Sequence, residues 1–140
     1  DGPLPPGGGL ALVCGYGVGL DLTRRDLQAV AKEKRLPWDV SKGFDASAPV
    51  SALRHVDDLG HPPASAALWL EINGERRQAS TLGEMIFGVD DVLLHLSTLF
   101  RLRAGDVVFM GTPAGVSALQ RGDRFRAVLE GVAELGGEIV

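Results

Sequence analysis

The dipeptide Asn73-Gly74 joins two short runs, 68–72 and 75–79, and the first of them alternates apolar and polar side chains. Asn and Gly tolerate the positive φ that a type I′ turn requires, and the twist of that turn matches antiparallel strands, so the step predicts a β-hairpin. The same punctuation recurs along the chain. Gly105-Asp106 turns into the uninterrupted apolar run 107–110, which reads as a buried strand. Gly122-Asp123 turns into a strand over 125–129, and Gly131 with Gly136-Gly137 marks a final strand pair. Residues 16–22 alternate and predict a further strand ending at Asp21. With 19 glycines in 140 residues, short strands and tight turns favour a loop-rich β architecture over a helix bundle.

Helical spacing enters twice. Thr23 is placed to cap a helix over 24–35, with Asp26 at its third position as in a capping box. Leu27, Val30 and Ala31 give that helix an apolar stripe. The second helix, 89–100, carries Val92, Leu93, Leu96, Leu99 and Phe100 at helical spacing, with Asp90 and Asp91 in its first turn. Residues 36–50 are aperiodic and rich in turn formers, and an ordered loop of that length is more often functional than filler. Residues 53–64 read as a polar surface excursion, and 10–14 are ambiguous between helix and strand. Residues 1–9 form a Pro/Gly-rich lead, disordered or loop, before a domain over 10–140. The expected class is α+β, β-dominant, with two or three helices.

A net charge of −4 and a pI near 5.3 argue against a nucleic-acid partner. No apolar run is long enough to span a membrane, and the start has no signal-peptide pattern. The single cysteine, Cys14, rules out an intrachain disulfide, and a reducing, cytoplasmic setting is expected. No Gly-x-Ser-x-Gly, phosphate-binding glycine loop or Cys-x-x-Cys occurs. His55, His61 and His95 do not have zinc-site spacing.

Several residues could carry chemistry. Asp21 lies among apolar neighbours, where a carboxylate is costly to bury unless it is paired or binds a metal; a plain helix-entry role is equally open. Arg24 and Arg25 oppose the dipole at a helix start, which suits meeting an anion or pairing with Asp26. Gln28, alone on the helix, reads as solvated. Lys42 in the long loop is either a surface charge or a cation placed to stabilise an enolate oxygen. Gly111-Thr112-Pro113 follows the run 107–110 and offers a hydroxyl and backbone N–H groups able to hold a carboxylate.

Taken together, these residues resemble a family. Gly15-Tyr16, Asp21, Thr23, Arg25-Asp26 and Gln28 are similar to its "GY-x-x-x-x-D-x-[ST]-x-RD-x-Q" signature. Pro37-Trp38, Lys42-Gly43-Phe44-Asp45, Asn73-Gly74-Glu75 with Arg77-Gln78, Met85-Ile86-Phe87 and Gly111-Thr112-Pro113-Ala114-Gly115 follow in the family's order, over about residues 10–140. The chain resembles the C-terminal catalytic domain of the fumarylacetoacetate hydrolase family, in its acylpyruvate or fumarylpyruvate hydrolase branch. Oxaloacetate decarboxylases and carboxymethyl-hydroxymuconate isomerases of the superfamily are the alternatives.

The resemblance implies a mixed β-roll, a homodimer, a small anionic dicarbonyl substrate of aromatic catabolism, and Mg²⁺ or Mn²⁺ held by carboxylates, a donor type that suits hard cations. It implies Asp21 as a metal ligand, Lys42 and Gln28 as catalytic residues, and Arg25, Thr112 and Gly111 as substrate contacts. The family's Glu-x-Glu pair of metal ligands has no counterpart before Asp21, where no Glu occurs. The expectation is therefore a portion of a larger metal-dependent hydrolase, or a non-catalytic binding protein on the same fold.

Overall fold

A computed structural model describes residues 3–140. The architecture is α+β, with antiparallel sheets of four and two strands and few helices. Strands β1 (Gly15–Tyr16) and β2 (Arg54–His55) form the smaller sheet. Strands β3 (Ala67–Ile72), β4 (Glu75–Thr81), β5 (Arg124–Leu129) and β6 (Ala133–Glu138) form the larger one in the order β4-β3-β5-β6. The helices are α1 (Arg25–Lys34), α2 (Asp39–Lys42), α3 (Val56–Leu59) and α4 (Val89–Leu99). No helix among the described residues is long and apolar enough to cross a membrane.

The hairpin forms where Asn73-Gly74 places it, and both residues take positive φ, 52° and 83°. Asn73 also ties the turn to the next strand: its Oδ1 accepts the Arg124 N–H at 2.9 Å. Register then sorts the sheet by side-chain alternation. Leu68, Leu70 and Ile72 stand opposite Leu129, Ala127 and Phe125, and this face joins Val18, Leu20, Ala66 and Val132 in the core. Each large apolar side chain buried there contributes about 1.5–3 kcal/mol. The other face carries Trp69 between the guanidinium groups of Arg76 and Arg126, at 3.7 and 5.2 Å from its ring centroid. Arg76 pairs with Glu71, and Arg126 with Glu134. A charged lattice thus lets this face remain in water while Trp69 stays 9% exposed.

Several expectations need correction. The strand read over 16–22 is regular only at Gly15–Tyr16. Beyond it, the Val18 N–H turns to the side-chain hydroxyl of Ser51 (3.1 Å), which interrupts the ladder. Leu20 and Leu22 still donate to the carbonyls of Pro49 and Ser47, with one isolated bridge, Gly19–Val50. The run 107–110 is not a strand: Val107 and Phe109 are 60% and 44% exposed, so its apolar character does not come from sheet burial. The excursion 53–64 contains β2 and α3, and the loop 36–50 contains α2. Residues 1 and 2 of the lead lie outside the described residues, and residues 4–10 run along α4. Asp90 accepts the N–H groups of Gly7, Gly9 and Leu10 at 2.7–3.1 Å, and the Leu4 N–H reaches Ser97 Oγ.

Candidate active site

The end of the 16–22 segment, the start of α1 and the end of α2 meet at one corner of the molecule. Arg24, not Thr23, occupies the cap position of α1, with no side-chain cap bond. Its N–H donates to the carbonyl of Ser41 at 3.0 Å. Ser41 is fully buried, and its hydroxyl bonds the Trp38 carbonyl at 2.6 Å. These contacts fix α2 against the mouth of α1 and carry Lys42 to Asp21.

Lys42 Nζ donates to Asp21 Oδ2 at 2.6 Å and to Thr23 Oγ1 at 2.9 Å. An ammonium only donates, so Thr23 accepts from it and donates its own O–H to the Asp21 backbone carbonyl, 3.3 Å away. Thr23 is therefore not the cap that spacing suggested; its hydroxyl is spent on this chain of bonds. The Asp21 and Lys42 side chains are 47% and 32% exposed, so the pair is within reach of a ligand.

One turn into α1, Arg25 and Gln28 form an i,i+3 pair, with Arg25 Nη1 donating to Gln28 Oε1 at 2.9 Å. Gln28 is 3% exposed, which overturns its reading as a solvated helix residue. Its buried carbonyl needs a donor, and Arg25 supplies one. Nearby, the Arg24 guanidinium sits 4.4 Å from the Phe44 ring centroid, so this cation is committed to an aromatic face.

Gly111 and Thr112 lie in a loop held by β4. Strand β4 carries a bulge: Leu70 faces Gln78 while Glu71 faces Arg76, leaving Arg77 without a partner across the ladder. The Arg77 carbonyl approaches Gly115 so closely that no side chain fits there. Gln78 Nε2 donates to Thr112 Oγ1 at 2.9 Å and to the Pro113 carbonyl at 2.7 Å. Gly111 and Gly115 have φ of 107° and 98°, conformations that L side chains rarely adopt. The Phe109 ring packs against Gly19, where an added Cβ would lie 3.0 Å from it. This contact joins the loop's base to the segment that carries Asp21. The structure thus brings Asp21, Lys42 and Thr23 into direct contact, pairs Arg25 with Gln28, and holds Thr112 separately on Gln78. Sequence reasoning missed the roles of Thr23, Ser41 and Gln78. The buried Ser41 has no periodic signal, because four residues of helix are too few to show one.

Outside the site, burial pushes the Tyr16 phenol above its ordinary pKa; its hydroxyl lies 2.7 Å from His61 Nδ1.

The described residues contain no group of three His, Cys, Asp or Glu side chains able to hold a metal ion. Asp21 offers one carboxylate, and one of its oxygens is already paired with an ammonium. These residues alone do not make a complete divalent-cation site.

The profile of the fumarylacetoacetate (FAA) hydrolase C-terminal domain matches residues 4–140. The chain belongs to this family. It is 40% identical to the fumarylpyruvate hydrolase of Ralstonia sp, over 89% of this chain and 64% of that protein. It is 41% identical to the oxaloacetate tautomerase YcgM of Escherichia coli, over 85% of this chain and 54% of the relative. Among solved structures, the fumarylpyruvate hydrolase of Pseudomonas aeruginosa in complex with Mn²⁺ and pyruvate superposes with a TM-score of 0.94. It is 42% identical, covering 100% of this chain and 60% of that one. The chain thus spans little more than half the length of the family relatives it matches.

Proposed function

We propose that the protein containing this chain is a hydrolase that splits the C–C bond of an acylpyruvate such as fumarylpyruvate, and that this chain supplies its enolate- and carboxylate-binding side. The observation that carries the reading is the Lys42 ammonium, held by Asp21 and Thr23 just before the start of α1. A cation fixed by two partners stabilises charge that develops in the reaction without first having to reorganise. The complex of the Pseudomonas aeruginosa relative with pyruvate and Mn²⁺ supports the product class and a divalent cofactor. The proposal extends this to Mg²⁺ or Mn²⁺, with Asp21 as one ligand. The proposal includes a homodimer, for which the exposed Ile86 and Phe87 offer apolar surface.

In such a reaction, water adds to the acyl carbonyl and the bond from that carbon to the methylene breaks. The electron pair passes into the enolate of the 2-oxo acid, and the enolate carbon then takes a proton. In this scheme Lys42 neutralises the enolate oxygen. Arg25, aligned by buried Gln28, and Thr112, presented by Gln78, hold the oxygens of the 2-oxo acid end.

The 41% identity to the Escherichia coli tautomerase favours a second reading, keto–enol interconversion of oxaloacetate, which would use the same enolate-stabilising lysine while a proton moves between the α-carbon and the enol oxygen and no C–C bond is broken. Assaying the intact protein with fumarylpyruvate and with oxaloacetate, with divalent metal and with EDTA, separates the two. EDTA-sensitive release of pyruvate from fumarylpyruvate supports hydrolysis. Enol–keto exchange of oxaloacetate without pyruvate release would replace it with the tautomerase.

A further inference from the structure

The orientation of the Gln78 amide follows from chemistry. The Pro113 carbonyl can only accept, so the atom 2.7 Å from it must be the NH₂ nitrogen. That same nitrogen lies 2.9 Å from Thr112 Oγ1. A side-chain amide nitrogen has two protons and accepts nothing, so one proton goes to each partner and Thr112 Oγ1 must be an acceptor there. A hydroxyl that accepts from one direction has its single proton left to give in another. Among the described hydrogen bonds no group in the chain takes it, and Thr112 is exposed.

We propose that Gln78 is a positioning residue. By donating to Thr112 it turns the single Thr112 proton away from Gln78 and leaves it for a ligand, so that the loop suits an oxygen that accepts: the carboxylate of the 2-oxo acid end of the substrate. The backbone makes this geometry stiff. The Arg77 bulge re-aims β4 toward the loop, the Arg77 carbonyl fills the space over Gly115, and Gly111 and Gly115 supply the left-handed φ values that the turn needs. The inference rests on the assignment of Thr112 as a substrate contact made above, and adds what sets its polarity.

The test is pyruvate binding to the full-length protein by calorimetry, with Gln78→Met, Thr112→Val and the double variant. Methionine keeps the length of Gln78 and loses both donors. Gln78→Met and Thr112→Val should each weaken pyruvate binding about fivefold, the scale of one net hydrogen bond. The double variant should stay within about twofold of Thr112→Val alone, because Gln78 acts through that hydroxyl. A double variant that loses the product of both factors would show that Gln78 merely stabilises the loop, and would overturn the inference. So would wild-type affinity in Gln78→Met alongside weakened binding in Thr112→Val; the assignment of Thr112 would then stand. Undiminished binding by Thr112→Val would remove that assignment, and this inference with it. If Gln78→Met does not fold, Gln78→Asn keeps an amide too short to span both acceptors, and is read in the same cycle.

Discussion

Lys42 Nζ lies 2.6 Å from Asp21 Oδ2, although Asp21 precedes α1, Lys42 closes α2, and all of α1 separates them. The contact depends on the backbone bond between Arg24 and buried Ser41 that docks α2 on α1. It makes Lys42 a fixed cation rather than a surface charge.

Replacing Lys42 with alanine should lower kcat for fumarylpyruvate in the intact protein by about 100-fold or more, the range found when one donor to a developing oxyanion is removed. KM should change much less. Steady-state kinetics read the split, and an equal loss in kcat and in metal affinity would point to a structural role for Lys42.

Gln28 is buried and takes its hydrogen bond from Arg25. Gln28→Ala should destabilise the fold by about 1–3 kcal/mol, from the lost packing and hydrogen bond, and should raise KM as Arg25 loses its alignment. Urea unfolding and steady-state kinetics on one preparation test both parts.

At Gly115 the φ is +98°, and the Arg77 carbonyl occupies the place of a side chain. Gly115→Ala should therefore move the loop that carries Thr112, at a cost of about 1–3 kcal/mol in backbone strain. A drop in thermal midpoint together with weaker pyruvate binding is expected. Gly122→Ala, which also has positive φ but has open space around it, should leave pyruvate binding unchanged.

The N–H of Gln120, and then the amide of Asn73, hold the Asp123 carboxyl below the usual carboxylate range. The folded state thus favours the charged form. The stability this adds is complete above the unfolded value of about 3.9, and is lost as pH falls through the lower folded value. Between about pH 5 and 2, Asp123→Ala should lose less stability than the wild type, as followed by denaturant midpoints at each pH. Parallel slopes for the two proteins would contradict this assignment.

The sequence was most legible where a local rule decided the structure. Asn73-Gly74 set the hairpin because the turn needs only two residues of positive φ, and 89–100 set α4 because its acids and apolar spacing act within one helix. The motifs around Asp21, Arg25, Gln28, Lys42 and Thr112 placed the chain in its family before any contact was known. The run 107–110 misled for a physical reason: an apolar stretch states a need for cover, not what provides it, and among the described residues no strand pairs with it.

The chain by itself determined the turns, the two main helices, the apolar face of the large sheet and the residue types at the candidate site. All of these depend on neighbours within a few positions, where backbone sterics and side-chain periodicity act. Only the tertiary structure decided that Thr23 bonds Lys42 instead of capping α1, that Gln28 is buried, and that Gln78 sets the polarity of Thr112. The first and last depend on donors meeting acceptors 19 and 34 residues away, and the burial of Gln28 on what packs over α1; both are fixed by packing, which no local pattern encodes.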